Sequence, residues 1–101
     1  MTVRLKLLYL IESYCEGKYR TWDFTSQFVK IFYQENDGTL TNKEKNLMKP
    51  LAQYAKYYSP AESDRQIYQG YKSDSNIKEM AIKTYSRLLK LYGCTTLKNI
   101  K

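Results

Sequence analysis

Between its glycines this chain repeats apolar side chains at spacings of three and four residues, not at the alternation of a strand. Such spacing lines one face of a helix. Stripes of this kind are buried by packing helix on helix, so the pattern predicts an all-α protein. Gly17, Gly38, Gly70 and Gly93 each fall where a periodic segment stops, the place for a residue that tolerates the left-handed conformation.

The first segment covers Val3 to Glu16. Leu7, Leu8, Ile11, Tyr14 and Cys15 share a face, with Lys6, Tyr9, Ser13 and Glu16 opposite. Thr21 is placed to cap the second helix. There Phe24, Phe28, Ile31 and Phe32 form the stripe, with Gln27, Lys30 and Gln34 opposite, and Asn36-Asp37-Gly38 signals a turn. Thr41-Asn-Lys-Glu44 reads as a capping box. Leu40, Leu47, Leu51, Tyr54, Ala55 and Tyr58 continue one stripe through Pro50, which predicts a single, kinked third helix. Ser59-Pro-Ala-Glu62 has the grammar of another helix start and predicts a short extra helical turn near residues 60–66. A loop follows, then a last helix over Asn76 to Tyr92 with Ile77, Met80, Ala81, Thr84, Leu88 and Leu91 inward. Lys83, Arg87 and Lys90 face out, and Glu79 is spaced to pair with Lys83. Together the segments predict a small antiparallel four-helix bundle.

The length, 101 residues, suits one domain, here residues 1–101, with a core over about 3–92 and a short basic tail over 93–101. No histidine is present. That removes Ser-His-Asp and Cys-His nucleophiles, imidazole bases and His-ligated metals. Four scattered glycines make no phosphate-cradling loop. Neither a catalytic residue, a cofactor nor a metal is expected. Cys15 and Cys94 form no CxxC and are too few for a disulfide framework, which fits two reduced thiols, although a Cys15–Cys94 bridge stays open. The apolar run after Lys6 is broken by Glu12 with no small-residue cleavage site beyond it, and no membrane span is long enough, so a cytoplasmic protein is expected.

Three constellations bear on function. Eleven tyrosines are many for this length. Tyr14, Tyr54, Tyr58 and Tyr92 fall on core stripes with hydroxyls at the rim. Tyr57, Tyr58, Tyr68 and Tyr71 crowd a predicted loop where packing does not demand them, and an interface would use them. Charge is uneven: the net +7 lies mostly in the last helix and tail, whereas residues 57–76 carry Glu62, Asp64 and Asp74 against Arg65 and Lys72. The basic helix is either a solvated face or, through Lys83, Arg87 and Lys90, a phosphate-binding one; the second would make the chain a small RNA- or DNA-binding regulator. The carboxylates Glu12 and Glu16, on an exposed face, and Glu62 and Asp64, on a polar turn, lack the apolar surroundings of a catalytic pair.

The order of short motifs carries a resemblance. Tyr14-x-x-Gly17 ends a leucine-rich helix, and Trp22-x-Phe24 starts the next, with Phe28 one turn on. Leu40-Thr41 precedes the Leu47 helix, then Tyr58-Ser59-Pro60, Glu62-Ser-Asp64-Arg65 and Tyr71-x-x-Asp74 lead to the final helix. Over about residues 5–90 this resembles the colicin D-type immunity family, which includes immunity proteins of contact-dependent growth inhibition systems. The resemblance implies a helical, non-enzymatic bacterial protein that binds the nuclease toxin of its own cell one-to-one and masks its active site. It also implies acidic side chains that mimic RNA phosphates. The matching positions are Glu62, Asp64 and Asp74, with Tyr57, Tyr68 and Tyr71 supplying packed area and Arg65 and Lys72 alongside. The net +7 departs from the acidic balance that complements a basic nuclease.

Overall fold

Each helix is set by its ends. The structure, a computed structural model, describes residues 2–35, 37–58 and 72–93. Helix α1 spans Val3–Cys15. Thr2 caps it, its hydroxyl accepting from the Leu5 amide at 3.2 Å. The amides of Val3 and Arg4 donate to Asp37 Oδ2 (3.0 Å) and Thr39 Oγ1 (3.1 Å), so the turn after the second helix completes the cap from more than thirty residues away. Gly17, at φ 83°, ends α1 in a Schellman motif: Lys18 N–H reaches Ser13 O and Gly17 N–H reaches Tyr14 O.

Helix α2 spans Thr21–Gln34. Thr21 is not its cap, contrary to the sequence reading. Arg20 holds that position without a side-chain bond, and Thr21, the first helical residue, shares a 2.9 Å hydrogen bond with the Tyr14 hydroxyl. The hydroxyl is drawn away because Tyr14 lies flat on Phe24, ring centroids 4.3 Å apart, with its polar tip at the start of α2. Phe28 and Phe32 extend this stack along the expected stripe.

Helix α3 spans Asn42–Lys56 and runs through Pro50 as one helix. Both halves of the Thr41–Glu44 capping box are present. The buried line is Met48, Leu51, Ala52 and Ala55, with Leu40, Leu47, Tyr54 and Tyr58 partly buried beside it. Helix α4 spans Asp74–Tyr92, two residues longer at its start than the spacing suggests, because Ser73 and Asn76 form a second capping box. Ile77, Ala81, Thr84 and Leu88 are buried, and Gly93 closes the helix at φ 68°. Leu91, expected inward, is 40% exposed; the last turn instead brings in Tyr92, whose hydroxyl bonds to Glu44. Lys83 and Glu79 form no ion pair. The turn expected near residues 60–66, Gly70 and the tail with Cys94 lie outside the described residues.

Helix α1 packs on α2, α2 on α3, α3 on α4 and α4 back on α1, closing an antiparallel four-helix bundle. This closure corrects the reading of α1. Ser13 and Glu12, placed on an exposed face by the sequence, are 1% and 3% exposed. Flanked by α2 and α4, α1 buries more than one stripe, and Glu12 accepts a 3.4 Å hydrogen bond from the Tyr85 hydroxyl of α4. Glu16 stays at the surface beside Lys18. Among the described residues no helix is long and apolar enough to cross a membrane.

Candidate interaction site

The antiparallel order gathers the end of α1, the start of α2, the end of α3 and the start of α4 at one pole. An open cleft of about 830 Å³ lies there, lined by Tyr14, Gly17, Tyr19, Arg20, Trp22, Tyr58, Asp74, Lys78 and Glu79 among others. A smaller groove of about 210 Å³ runs between α2 and α3, lined by Trp22, Thr25, Val29, Ala55, Lys56 and Tyr58. Trp22 and Tyr58 line both, so the pair forms a ridge between them, rings tilted by 54° at 6.4 Å. Trp22 is 58% exposed. Tyr58 is held by its hydroxyl, which donates to Asp74 Oδ1 at 2.6 Å.

Cations stand against the neighbouring rings. Lys78 lies 5.2 Å from the Tyr14 ring centre, and Lys72 4.6 Å from that of Tyr54. Lys56 lies between Tyr33 and Tyr57, at 5.8 and 6.0 Å. Burial raises the Tyr14 phenol above its ordinary pKa, against the opposing hydrogen bond with Thr21. Burial also pushes the free Cys15 thiol up to about 11, with Lys78 opposing it.

Three of the expected site residues are described, and they come together. Tyr57, exposed at the end of α3, accepts the Lys72 amide on its carbonyl at 2.8 Å; Tyr58 and Lys72 form a backbone bridge; Asp74 follows at the start of α4. Glu62, Asp64, Arg65, Tyr68 and Tyr71 lie outside the described residues. Within the cleft Asp74 and Glu79 are balanced by Arg20 and Lys78, so the described part is an aromatic surface of mixed charge, not an acidic one. Lys83, Arg87 and Lys90 are exposed farther along α4.

Sequence reasoning left Trp22, Arg20 and Lys78 out of the site. For Trp22 a signal existed. It lies on the side of α2 opposite the Phe24–Phe28–Ile31 stripe, and a tryptophan on the polar side of an amphipathic helix has no core to enter. Arg20 and Lys78 are ordinary surface cations until the helices pack.

The opposite pole holds a buried ionic knot. Glu44, its side chain 2% exposed, accepts Arg4 Nε at 2.6 Å, the Thr41 amide at 3.0 Å and the Tyr92 hydroxyl. Arg4 also stands 5.3 Å from the centre of the Tyr92 ring. Burial works to raise the Glu44 pKa, but these donors outweigh it and hold it below the ordinary value; the same burial and the carboxylate beside it raise Tyr92. The knot ties α1, α3 and α4, and both Glu44 oxygens accept hydrogen bonds within the fold. Among the described residues no three His, Cys, Asp or Glu side chains gather as a metal site needs.

Comparison with protein-family models, curated proteins and solved structures returns no match.

Proposed function

We propose that this chain is an immunity protein, which binds a bacterial nuclease toxin domain one-to-one and covers its active site. One observation supports the reading above others. The short motifs that carry the likeness to colicin D-type immunity proteins are spread over some sixty residues, yet Tyr14, Gly17, Trp22, Tyr58 and Asp74 line a single cleft. Tryptophan, tyrosine and arginine, the side chains that dominate binding energy at protein interfaces, stand together there. On this reading Trp22 is the anchor, with Tyr57, Lys72 and Asp74 beside it; of the acidic trio, Asp74 is the described member. The partner's activity class, an RNase or tRNase, rests on the family likeness.

The test is co-expression with a toxin domain encoded beside this chain, with growth rescue and direct binding both measured. Rescue together with nanomolar binding is expected. Trp22→Ala should weaken binding by about 2 kcal/mol, roughly thirtyfold, with the melting temperature unchanged. Absence of both rescue and binding would overturn the reading.

A further inference from the structure

Most of the described carboxylates are engaged within the fold, whereas a group of its cations is not. Glu44 is taken by Arg4, Thr41 and Tyr92; Glu35 pairs with Lys6, Glu16 with Lys18; Asp37 caps α1 and Asp74 holds Tyr58. Helices α3 and α4, which pack side by side, keep Lys43, Lys45, Lys49, Lys83, Arg87 and Lys90 exposed, and none of them forms an ion pair among the described residues. The only acid of α3 is the buried Glu44, and the two acids of α4, Asp74 and Glu79, lie in its first two turns. The first half of α3 and the last half of α4 adjoin, as the Tyr92–Glu44 bond requires. Lys43, which lines a groove with Leu91 and Tyr92, joins Lys83, Arg87 and Lys90 in a cationic flank without an exposed carboxylate, at the pole away from the Trp22 cleft; Lys45, two residues on, lies on the other side of α3.

We propose that this flank binds the phosphate backbone of duplex nucleic acid, independently of sequence and of any toxin partner. The residues between the cations favour this ligand. Asn42, Asn46 and Ser86 are exposed there, neutral polar side chains of the kind that contact phosphates. Ile82 and Leu91 are exposed beside these cations, but nine residues apart they lie on opposite sides of α4, whereas a helix lying on a lipid surface presents a continuous apolar face. A single strand would need aromatic platforms, and the exposed aromatic residues of α3 and α4 are confined to Tyr57 at the other pole.

The test is binding of a fluorescein-labelled DNA duplex of mixed sequence, followed by anisotropy across a salt series. Affinity in the micromolar range at low salt is expected, with log K falling against log salt at a slope of about −4 for roughly four phosphates neutralised. Lys83→Glu with Arg87→Glu should reduce the slope by about 2 and weaken low-salt binding at least about tenfold. Lys18→Glu with Lys30→Glu, an equal change of net charge away from the flank, should leave the slope in place. Three results would overturn the proposal: no binding at low salt, an equal loss in both double variants, or binding to anionic phosphatidylserine vesicles with none to the duplex. No toxin enters the assay, so its outcome is separate from that of the immunity reading.

Discussion

Replacing Glu44 by alanine tests the ionic knot. The substitution leaves Arg4 Nε, the Thr41 amide and the Tyr92 hydroxyl without their common acceptor. Removing one partner of a buried ion pair costs about 3–5 kcal/mol. Arg4 keeps 19% side-chain exposure and can turn toward water, which favours the lower end, and loss of the reciprocal cap bond adds about 0.5–1 kcal/mol. The expected cost is about 3–4 kcal/mol, a large part of the roughly 5–15 kcal/mol that holds a domain folded. For a chain of this length that lowers the melting temperature by at least about 12 °C. Glu44→Gln keeps an accepting oxygen and the shape, and should cost about 1.5–3 kcal/mol. Urea denaturation read by circular dichroism, with an unchanged slope on denaturant, measures both. The pH dependence gives a second readout. A carboxyl whose folded pKa is lowered stabilises fully above its unfolded value, near 4.3, and loses that contribution as pH falls through the folded one. A phenol whose folded pKa is raised stabilises below about 10 and loses its contribution as pH rises. Glu44→Gln should flatten the acid limb, and Tyr92→Phe the alkaline one. An alanine variant within about 0.5 kcal/mol of the parent, the range of ordinary surface changes, would refute the reasoning.

Two further predictions follow from single groups. The Asp37 carboxyl, held down to about 2 by hydrogen bonds from Thr39 and from the Val3 amide, should titrate at that value by NMR. Because its pKa is lowered, its contribution is present above about 3.9 and is lost toward about 2; Asp37→Asn should remove that part of the acid dependence, and an unaltered acid limb would count against the tertiary cap. In a Cys94→Ser background, Cys15, with its pKa near 11, should react with a disulfide reagent at pH 8 on the order of a hundredfold more slowly than an unhindered cysteine. A rate within tenfold of the free amino acid would show the thiol to be less buried.

What the sequence made legible was periodic or local. Phe24, Phe28 and Ile31, the Thr41–Glu44 box and the glycine stop at Gly93 are each readable from four to eight adjacent residues, and each is present. What failed depended on neighbours distant in the chain. Glu12 and Ser13 look polar and therefore outward, but α1 is covered on two sides. Thr21 looks like a cap until Tyr14 claims its hydroxyl. Glu44 showed its local role, while Arg4 and Tyr92, forty and forty-eight residues away, did not. The candidate site divides the same way. Tyr57, Lys72 and Asp74 were legible as a cluster of interface-prone types flanking one loop, whereas Trp22 and Arg20 join them only through the turn of the bundle.

The link between Tyr58 and Lys72 has a consequence for how such a chain diversifies. The Lys72 amide bonded to the Tyr57 carbonyl holds the end of α3 and the approach to α4 together at one point. Closing a chain between fixed ends costs only about 0.6 kcal/mol more for each doubling of its length. On that scale a change in the number of residues between Tyr58 and Lys72 costs little in closure entropy, because the clamp already fixes both ends. Because the clamp joins those two ends directly, the spacing between α3 and α4 is set by Tyr57, Tyr58 and Lys72 themselves, and under the proposed function an exchange between these fixed ends is the natural change by which such a chain would meet a different partner.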